Sequence, residues 1–226
     1  MKKTMVFKDR TTAGQLLAAQ LAAYATRKDV IVLALPRGGV PVAFEVAHRI
    51  TAPLDVFIVR KLGVPGHEEL AMGAIASGGL RVLNNAVIQM FDLSEDVIDQ
   101  VAAKEQRELE RRDHLYRDDR PFPTLGEQTV ILVDDGLATG TTMRAAVIAL
   151  QQQQPARLIV AVPVSSPEAY QEIQTLVDEI VCLETPDPFY SVGLWYQDFP
   201  QTSDAEVRDL LKRASDNNQQ SMVNSS

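Results

Sequence analysis

The segment that most constrains the fold of this chain is residues 130–142, where a run of apolar side chains meets two carboxylates. The four apolar residues at its start predict a strand that is buried on both faces. Asp134 and Asp135 follow, and a short loop of small and hydroxyl residues then leads into a helix. Ligands bind at the carboxyl ends of strands in open parallel sheets, and a helix N-terminus presents unpaired N–H groups to anions. The segment therefore predicts an anion-binding loop beside a pair of carboxylates.

Two adjacent aspartates before a turn are usually only a solvated turn or a helix cap, but the full pattern is more restrictive. The loop contains Thr139, Thr141 and Thr142 but no lysine, which favours a terminal monophosphate over a triphosphate. The carboxylates can accept hydrogen bonds from sugar hydroxyls, or hold Mg²⁺ directly or through water. A Walker A loop is absent. A dehalogenase-type phosphatase is excluded because Gly136, not aspartate, stands two residues after Asp134.

Apolar runs alternate with helical patterns along most of the chain. Strands are predicted over residues 30–35, 54–59, 129–133, 158–164 and 181–183, and helices over residues 13–25, 40–50, 141–153 and 167–180. Thr11 or Thr12 is the predicted N-cap of the first helix. Strands separated by helices need crossover connections, so the pattern predicts an α/β fold with a mainly parallel sheet flanked by helices.

The middle of the chain departs from this alternation. Residues 62–70 contain two glycines and a proline and are predicted to form a loop, followed by short strands at 71–75 and 80–83. Ser94 is the predicted N-cap of a long polar helix that ends near Tyr116. A solvated surface explains the mixed charges of this helix, and the alternative is a dimer contact or arginines delivered to the active site.

Composition excludes several function classes. The net charge of −8 argues against a protein that coats nucleic acid or an anionic membrane. Cys182 is the one cysteine, so neither an internal disulfide nor a multi-thiolate zinc site is expected, and the three histidines lack metal-ligand spacing. Neither a signal peptide nor a membrane span is expected, because the chain has no apolar run of the required length. We expect a cytoplasmic protein that binds neither nucleic acid nor membrane.

The run from Asp134 to Met143 resembles the phosphoribosyl-diphosphate (PRPP) signature of the type I phosphoribosyltransferases, in a form closest to adenine phosphoribosyltransferase. The whole chain is similar to a poorly characterised group of predicted phosphoribosyltransferases. The resemblance implies that Asp134 and Asp135 hold the ribose hydroxyls and Mg²⁺. It also implies a loop that cradles the 5′-phosphate of PRPP, formed by Ala138, Thr139, Gly140, Thr141 and Thr142.

The resemblance also implies one domain over residues 1–214, with a small hood built from about 84–123 and 184–200 and an inserted long helix. Residues 215–226 are polar and of low complexity, and we predict that they form a disordered tail. We expect the chain to form a homo-oligomer, namely a dimer.

The resemblance implies that two further segments, both with basic side chains, bind pyrophosphate. Arg37, Gly38 and Gly39 follow the first strand, and a cis peptide between Pro36 and Arg37 is implied there; the alternative is an ordinary Gly-Gly turn. Arg60 and Lys61 match an Arg-Lys pair of the adenine and orotate enzymes, and the alternative is a surface charge pair.

Residues 63–70 stand where the family has its flexible catalytic loop. His67, Glu68 and Glu69 lie in this segment and could protonate or orient a base. An exposed loop without a role in the reaction is the alternative.

The implied base-binding residues are Phe189, Tyr190 and Val192, in a segment dense in aromatic side chains, and a small satellite core is the alternative. Ala138 stands where hypoxanthine-guanine enzymes have an aspartate that acts as base toward the purine. Residues 76–79 lack the Glu-Tyr-Gly of adenine enzymes. The acceptor base therefore stays unassigned.

The expected reaction is Mg²⁺-dependent transfer of a 5-phosphoribosyl group from PRPP to a nitrogenous base, with release of pyrophosphate. Its expected catalytic residues are Asp134, Asp135, Lys61 and Arg37. The alternative is a non-catalytic regulator that binds PRPP or a nucleotide on the same fold.

Overall fold

A computed structural model describes residues 5–118 and 120–223 of the chain, and helices alternate with strands except between residues 50 and 129, where four strands and then two helices follow one another. The helices are α1 (Arg10–Gln20), α2 (Gly39–Ile50), α3 (Asn85–Met90), α4 (Glu95–Arg117), α5 (Thr141–Gln151), α6 (Pro167–Gln174) and α7 (Asp204–Val223). The strands are β1 (Val30–Ala34), β2 (Leu54–Val56), β3 (Val59–Val64), β4 (His67–Ala76), β5 (Leu80–Leu83), β6 (Thr129–Val133), β7 (Arg157–Val164) and β8 (Glu179–Glu184). Among the described residues, no helix combines the length and the apolar character needed to cross a bilayer.

The central sheet has the order β2-β1-β6-β7-β8, and all of its pairings are parallel. β1 and β6 lie in the middle and are buried along their whole length, as their unbroken apolar sequences predict. Helices cover both faces, so the predicted α/β class with a mainly parallel sheet is confirmed. From β1 the chain moves outward to β2, and from β6 it moves outward to β7 and β8 on the other side. The carboxyl ends of β1 and β6 therefore flank a topological switch point, where such sheets bind ligands.

A second sheet of three antiparallel strands, β3-β4-β5, packs beside α5 and α4. The prediction of a loop over residues 62–70 is wrong, because β3 and β4 form a hairpin that turns at residues 65–66. Gly63 lies inside β3. Glycine is needed at this position because a Cβ there would come within 2.9 Å of the Glu68 carbonyl oxygen. The glycine that suggested a loop thus permits close approach of two strands. The predicted strands at 71–75 and 80–83 are confirmed within β4 and β5.

The helix N-termini confirm one predicted cap and correct another. Ser94 caps α4 by accepting a hydrogen bond from the Val97 N–H at 3.4 Å. The predicted N-cap of α1 at Thr11 or Thr12 is wrong, because Asp9 accepts the capping hydrogen bond at 2.7 Å.

Helix α7 continues through residues 215–223, which differs from the disordered tail that we predicted; residues 224–226 of that segment lie outside the described residues. Val207, Leu211 and Ala214 are buried on one side of α7 and hold the helix against α2 and β2. Tertiary packing therefore stabilises a helix that its polar composition did not indicate.

Candidate functional site

The two carboxylates of the motif lie directly at the carboxyl end of β6. The Asp135 N–H donates to Asp134 Oδ1 at 2.8 Å, which ties the two residues together. Asp135 Oδ2 accepts a hydrogen bond from Arg10 Nε at 2.9 Å, and the Tyr196 hydroxyl donates to the backbone oxygen of Asp135 at 2.6 Å. Asp135 is therefore held by two residues that lie far from it along the chain, and the Asp134 carboxylate is held by the Asp135 N–H.

Burial controls the electrostatics of this pair. It raises the pKa of Asp134 well above its ordinary value, and the adjacent Asp135 charge raises it further. Burial also raises the pKa of Asp135, and the Arg10 guanidinium opposes that rise. Burial raises the pKa of Tyr196 as well, so its hydroxyl remains a donor. A ligand that brings hydroxyl donors or positive charge to these carboxylates would relieve the cost of their burial.

The loop after β1 lies against the carboxylates. The Pro36–Arg37 peptide is cis, as predicted. A Cβ on Gly38 would lie 2.1 Å from Asp135 Oδ2, and one on Gly39 would lie 2.9 Å from the Asp134 Cα, so only glycine fits at either position. The Gly39 N–H donates to the Leu35 carbonyl at 3.1 Å, and this internal hydrogen bond occupies a donor that we had assigned to pyrophosphate.

Arg37 faces the C-terminal helix as well as the site. Its Nη1 lies 3.7 Å from Asp204 Oδ1, at the start of α7. The Tyr116 hydroxyl of α4 donates to the same oxygen at 2.5 Å. The Arg37 side chain is 36% exposed, so it can reach an anion above the loop while Asp204 limits its freedom.

The predicted phosphate loop has the expected form. Gly140 adopts a left-handed conformation with φ of 70° and immediately precedes α5, whose first N–H groups have no helical acceptor. Thr139 Oγ1 and Thr141 Oγ1 lie 3.1 Å apart, and Thr142 lies in the first turn of the helix. Ser166 Oγ donates to the Ala138 carbonyl at 2.7 Å and so anchors the loop to the end of β7. The loop is a concave arrangement of N–H and hydroxyl donors that suits a phosphate.

Arg60 and Lys61 do not converge, which differs from our expectation. Neighbouring residues of a strand point to opposite faces, and both lie within β3. Lys61 lines a cavity of about 640 Å³ between the second sheet and α5, together with Thr139, Thr141 and Thr142. Arg60 instead donates to Glu105 of α4 at 2.8 Å. The structure therefore brings Lys61, but not Arg60, to the phosphate loop.

The segment with His67, Glu68 and Glu69 lies at the far end of the β3–β4 hairpin. The His67 ring contacts Phe91, with 5.3 Å between ring centroids. The Glu69 carboxylate lies 3.7 Å from Lys61 Nζ. These contacts place the segment beside α3 and beside Lys61, on a strand rather than in the loop that we predicted.

The three predicted base-binding residues have different environments. Phe189 stacks on Trp195, with centroids 6.4 Å apart and the rings within 19° of parallel. Tyr190 is 78% exposed. Val192 packs against Gly136, the residue after the two aspartates: a Cβ added at Gly136 would lie 2.6 Å from Val192 Cγ1. The segment thus forms a satellite core, as the alternative interpretation held, and Val192 brings that core to the carboxylates.

Sequence reasoning missed Arg10, Tyr196 and Asp204 as neighbours of the site. Arg10 is the first residue of α1, where the helix dipole disfavours a cation, but the sequence pattern predicts a helix that begins at residue 13 and so does not identify this position. In the structure, a buried arginine at such a position indicates a carboxylate partner elsewhere in the fold. Tyr196 and Asp204 carried no signal in the sequence.

Asp134 and Asp135 supply only oxygen ligands, and the described residues contain no cluster of three or more potential metal ligands. Mg²⁺ suits such a site, because it commonly binds one or two carboxylates and completes its shell with water and substrate oxygen atoms. The residues present therefore fit Mg²⁺ held jointly with a phosphorylated ligand.

Comparisons with known proteins identify the family of this chain. The family model described as "Phosphoribosyl transferase domain" matches residues 9–198. Two Mycobacterium tuberculosis proteins, each named "Putative phosphoribosyl transferase", are 46% identical over 209 residues, which is 92% of this chain. The chain spans about half the length, 47%, of these curated relatives. The crystal structure of TT1426 from Thermus thermophilus is 42% identical, covers 92% of this chain and 99% of that chain, and has a TM-score of 0.83.

Proposed function

The chain belongs to the phosphoribosyl transferase family, and from that premise we propose that it transfers the 5-phosphoribosyl group of PRPP to a nitrogenous base. The observation that carries the proposal is the pair Asp134 and Asp135, which continues into an open phosphate loop at the switch point of the sheet. A ligand with a phosphate at one end and a vicinal diol at the other matches this order of groups. PRPP has both.

In the proposed reaction, the bond between C1′ of the ribose and the pyrophosphate oxygen breaks, and a bond from C1′ to a ring nitrogen forms. Pyrophosphate leaves with the bonding electrons, and the proton of the base passes to solvent. The sugar becomes oxocarbenium-like between these events. Asp134 and Asp135 would accept the ribose hydroxyls and favour the positive charge on the sugar. Mg²⁺, when bound, would neutralise charge on the pyrophosphate.

Two cations remain for the departing pyrophosphate. Arg37 stands on the loop that touches Asp135, and Lys61 faces the phosphate loop across the cavity. Arg60 is left out of this role because its side chain lies on the opposite face of β3 from Lys61, where it donates to Glu105. We assign the leaving-group charge to Arg37 and Lys61, each contributing on the order of 10²-fold in rate.

The acceptor would lie above Val192, where the satellite core meets the motif. We propose a planar heterocycle, because Tyr190, two residues before Val192, has an exposed ring on which a planar base could stack. Ala138 offers no group to act as base toward a 6-oxopurine. We therefore propose a heterocycle that loses its proton to solvent without help from that position.

A turnover assay tests the proposal. The full chain is incubated with Mg²⁺, PRPP and a panel of purines, pyrimidines and related heterocycles, and mass spectrometry detects new nucleotides and pyrophosphate. A product that depends on the base supports the transferase. Failure to bind PRPP would overturn the assignment of the site.

Variants assign the roles. Asp134→Asn combined with Asp135→Asn is expected to abolish transfer without unfolding the chain. Exposed Asp99 provides the matched control, Asp99→Asn, which is expected to keep wild-type activity. Unchanged activity in the double variant would contradict the role of the two carboxylates.

Thr139→Val tests the phosphate loop separately and is expected to weaken PRPP binding. Thr175→Val is its control, because Thr175 is an exposed threonine at the end of α6. Equal affinities in the two variants would contradict the phosphate assignment.

One observation favours a second function. Glu105 forms an ion pair with Arg60, the cation that the family resemblance assigns to pyrophosphate. A protein that binds PRPP or a nucleotide as a regulator would need the diol and phosphate groups but not that cation. PRPP binding without turnover across the panel would support this regulator over the transferase.

A further inference from the structure

We propose that Arg10 is a positioning residue for the sugar site: it fixes the Asp135 carboxylate so that Oδ1 is the oxygen presented to the ligand. The inference rests on the proposed function, since the ligand is the ribose part of PRPP. It adds a residue outside the motif, 125 positions away along the chain.

Three contacts immobilise the guanidinium of Arg10. Its Nε donates to Asp135 Oδ2 at 2.9 Å, and its Nη1 donates to the Pro200 carbonyl at 2.7 Å. Its Cζ lies 3.7 Å from the centroid of the Phe199 ring. The residue is only 9% exposed, so water competes little for these contacts. A cation held by an acceptor on each side and by a ring face has almost no freedom to follow a moving carboxylate.

The remaining polar atoms of Asp135 are also accounted for. Its N–H donates to Asp134, and its backbone oxygen accepts from Tyr196. Gly38 lies on the Oδ2 side of this carboxylate, because a Cβ added there would be 2.1 Å from Oδ2 and 3.3 Å from Oδ1. Among the described residues, Oδ1 is the one polar atom of Asp135 without a hydrogen bond. Arg10 therefore determines which oxygen of this carboxylate faces a ligand.

A purely structural role is the competing explanation. The segment around Arg10 pairs with the aromatic segment, since the Phe7 N–H donates to the Trp195 carbonyl at 2.8 Å and the Gln197 N–H donates to the Phe7 carbonyl at 2.8 Å. Arg10 could simply join these two segments. That explanation predicts lower stability on substitution, but no preference for the ribose part of a ligand and no dependence on Asp135.

The experiment is a double-mutant cycle in binding. Wild type, Arg10→Gln, Asp135→Asn and the combined variant are titrated calorimetrically, with Mg²⁺ present, against PRPP, ribose 5-phosphate and inorganic pyrophosphate. Arg10→Gln is expected to weaken PRPP and ribose 5-phosphate by about tenfold to a hundredfold, as for loss of a hydrogen bond between charged groups. Pyrophosphate affinity is expected to change by less than about threefold, because pyrophosphate does not reach the diol site. In the Asp135→Asn background, Arg10→Gln is expected to have no further effect.

Two variants keep the proposal testable if Arg10→Gln folds poorly. Arg10→Lys retains the charge but cannot bond Asp135 and Pro200 at once, and it is expected to weaken ribose 5-phosphate by a smaller factor. Arg27→Gln is the control, because Arg27 also pairs with an aspartate and lies over a tyrosine ring, far along the chain from the motif. It is expected to bind all three ligands like wild type.

The outcomes separate the two proposals. If wild type binds neither PRPP nor ribose 5-phosphate, the proposed function fails before any variant is compared. If wild type binds both, additive losses from Arg10→Gln and Asp135→Asn overturn the positioning role. So does an equal loss for pyrophosphate, or no loss at all in a folded Arg10→Gln protein.

Discussion

Gly38 offers a sharp test of how tightly the loop after β1 lies on the carboxylates. Its φ of −59° and ψ of −33° are ordinary for alanine, so the backbone does not oppose Gly38→Ala. At such a position alanine normally stabilises a protein by about 0.4–1 kcal/mol, because it restricts the unfolded chain. The added Cβ, however, would lie 2.1 Å from Asp135 Oδ2, well inside the 3.4 Å at which ordinary contact begins.

The Asp135 side chain would have to move by more than about 1 Å to admit this methyl group, because the backbone of the loop is packed against β6. That movement breaks its hydrogen bond with Arg10, which costs about 1.5–3 kcal/mol for a bond between charged groups. Combining loss and gain, Gly38→Ala is expected to lower the free energy of unfolding by about 0.5–2.6 kcal/mol. The same movement is expected to weaken PRPP binding by at least tenfold.

Urea unfolding followed by the fluorescence of the single tryptophan, Trp195, measures the stability change. Gly126→Ala is the matched control, because a Cβ at Gly126 meets no atom within 4 Å. That variant is expected to be as stable as wild type or slightly more so. If Gly38→Ala loses no more stability than Gly126→Ala and binds PRPP normally, the argument from close approach is refuted.

Three further predictions concern buried charge and the free thiol. Asp55→Ala removes an ion-pair partner of the buried Arg117 and is expected to lower the free energy of unfolding by about 3–5 kcal/mol, measured with urea. The control is Asp99→Ala at an exposed ion pair, which is expected to lower it by less than about 1 kcal/mol. Equal losses in the two variants would contradict the role of burial. The pKa of Asp134 is raised in the folded chain, so the folded state favours the protonated carboxyl. This contribution to stability is fully present below pH 3.8 and is lost as the pH rises through the raised pKa. Asp134→Asn is therefore expected to stabilise the chain near neutral pH but not near pH 3, and equal unfolding free energies of variant and wild type near neutral pH would refute this. Partial burial raises the pKa of Cys182 to about 12, so a thiol reagent at pH 8 is expected to label it slowly in the native protein and rapidly in denaturant; equal labelling rates in the two states would contradict the raised pKa.

The hairpin of β3 and β4 shows where local signals fail. Gly63, Pro65 and Gly66 are all turn-forming residue types, and their density predicted one long loop. In the structure only residues 65–66 turn, while Gly63 lies in a strand that passes close to the backbone of Glu68. Sequence alone cannot separate a glycine needed for a turn from one needed for close approach, because both uses depend on the missing Cβ.

The cation pair shows a different limit. Because Arg60 and Lys61 are adjacent, we expected both side chains to reach the same ligand. Two adjacent residues can do so when they lie in a loop after the end of a strand, but not when both lie within the strand. Placing them inside β3 sends one side chain to the cavity and the other to Glu105, 45 residues further along. The identity of that partner depends on how α4 packs across the second sheet.

The phosphate loop and the carboxylate pair could be predicted because every signal for them is local. An apolar strand, two aspartates, a left-handed glycine and a helix start are contiguous in residues 130–142, and their backbone conformations follow from residue type. The apolar runs of β1 and β6 likewise determined that these strands lie in the middle of a sheet covered on both faces. Only the tertiary structure decided which oxygen atoms of Asp135 are occupied, that Gly38 presses on that carboxylate and that Asp204 faces Arg37. Each of these contacts joins residues far apart along the chain, and the packing of whole helices and sheets brings them together.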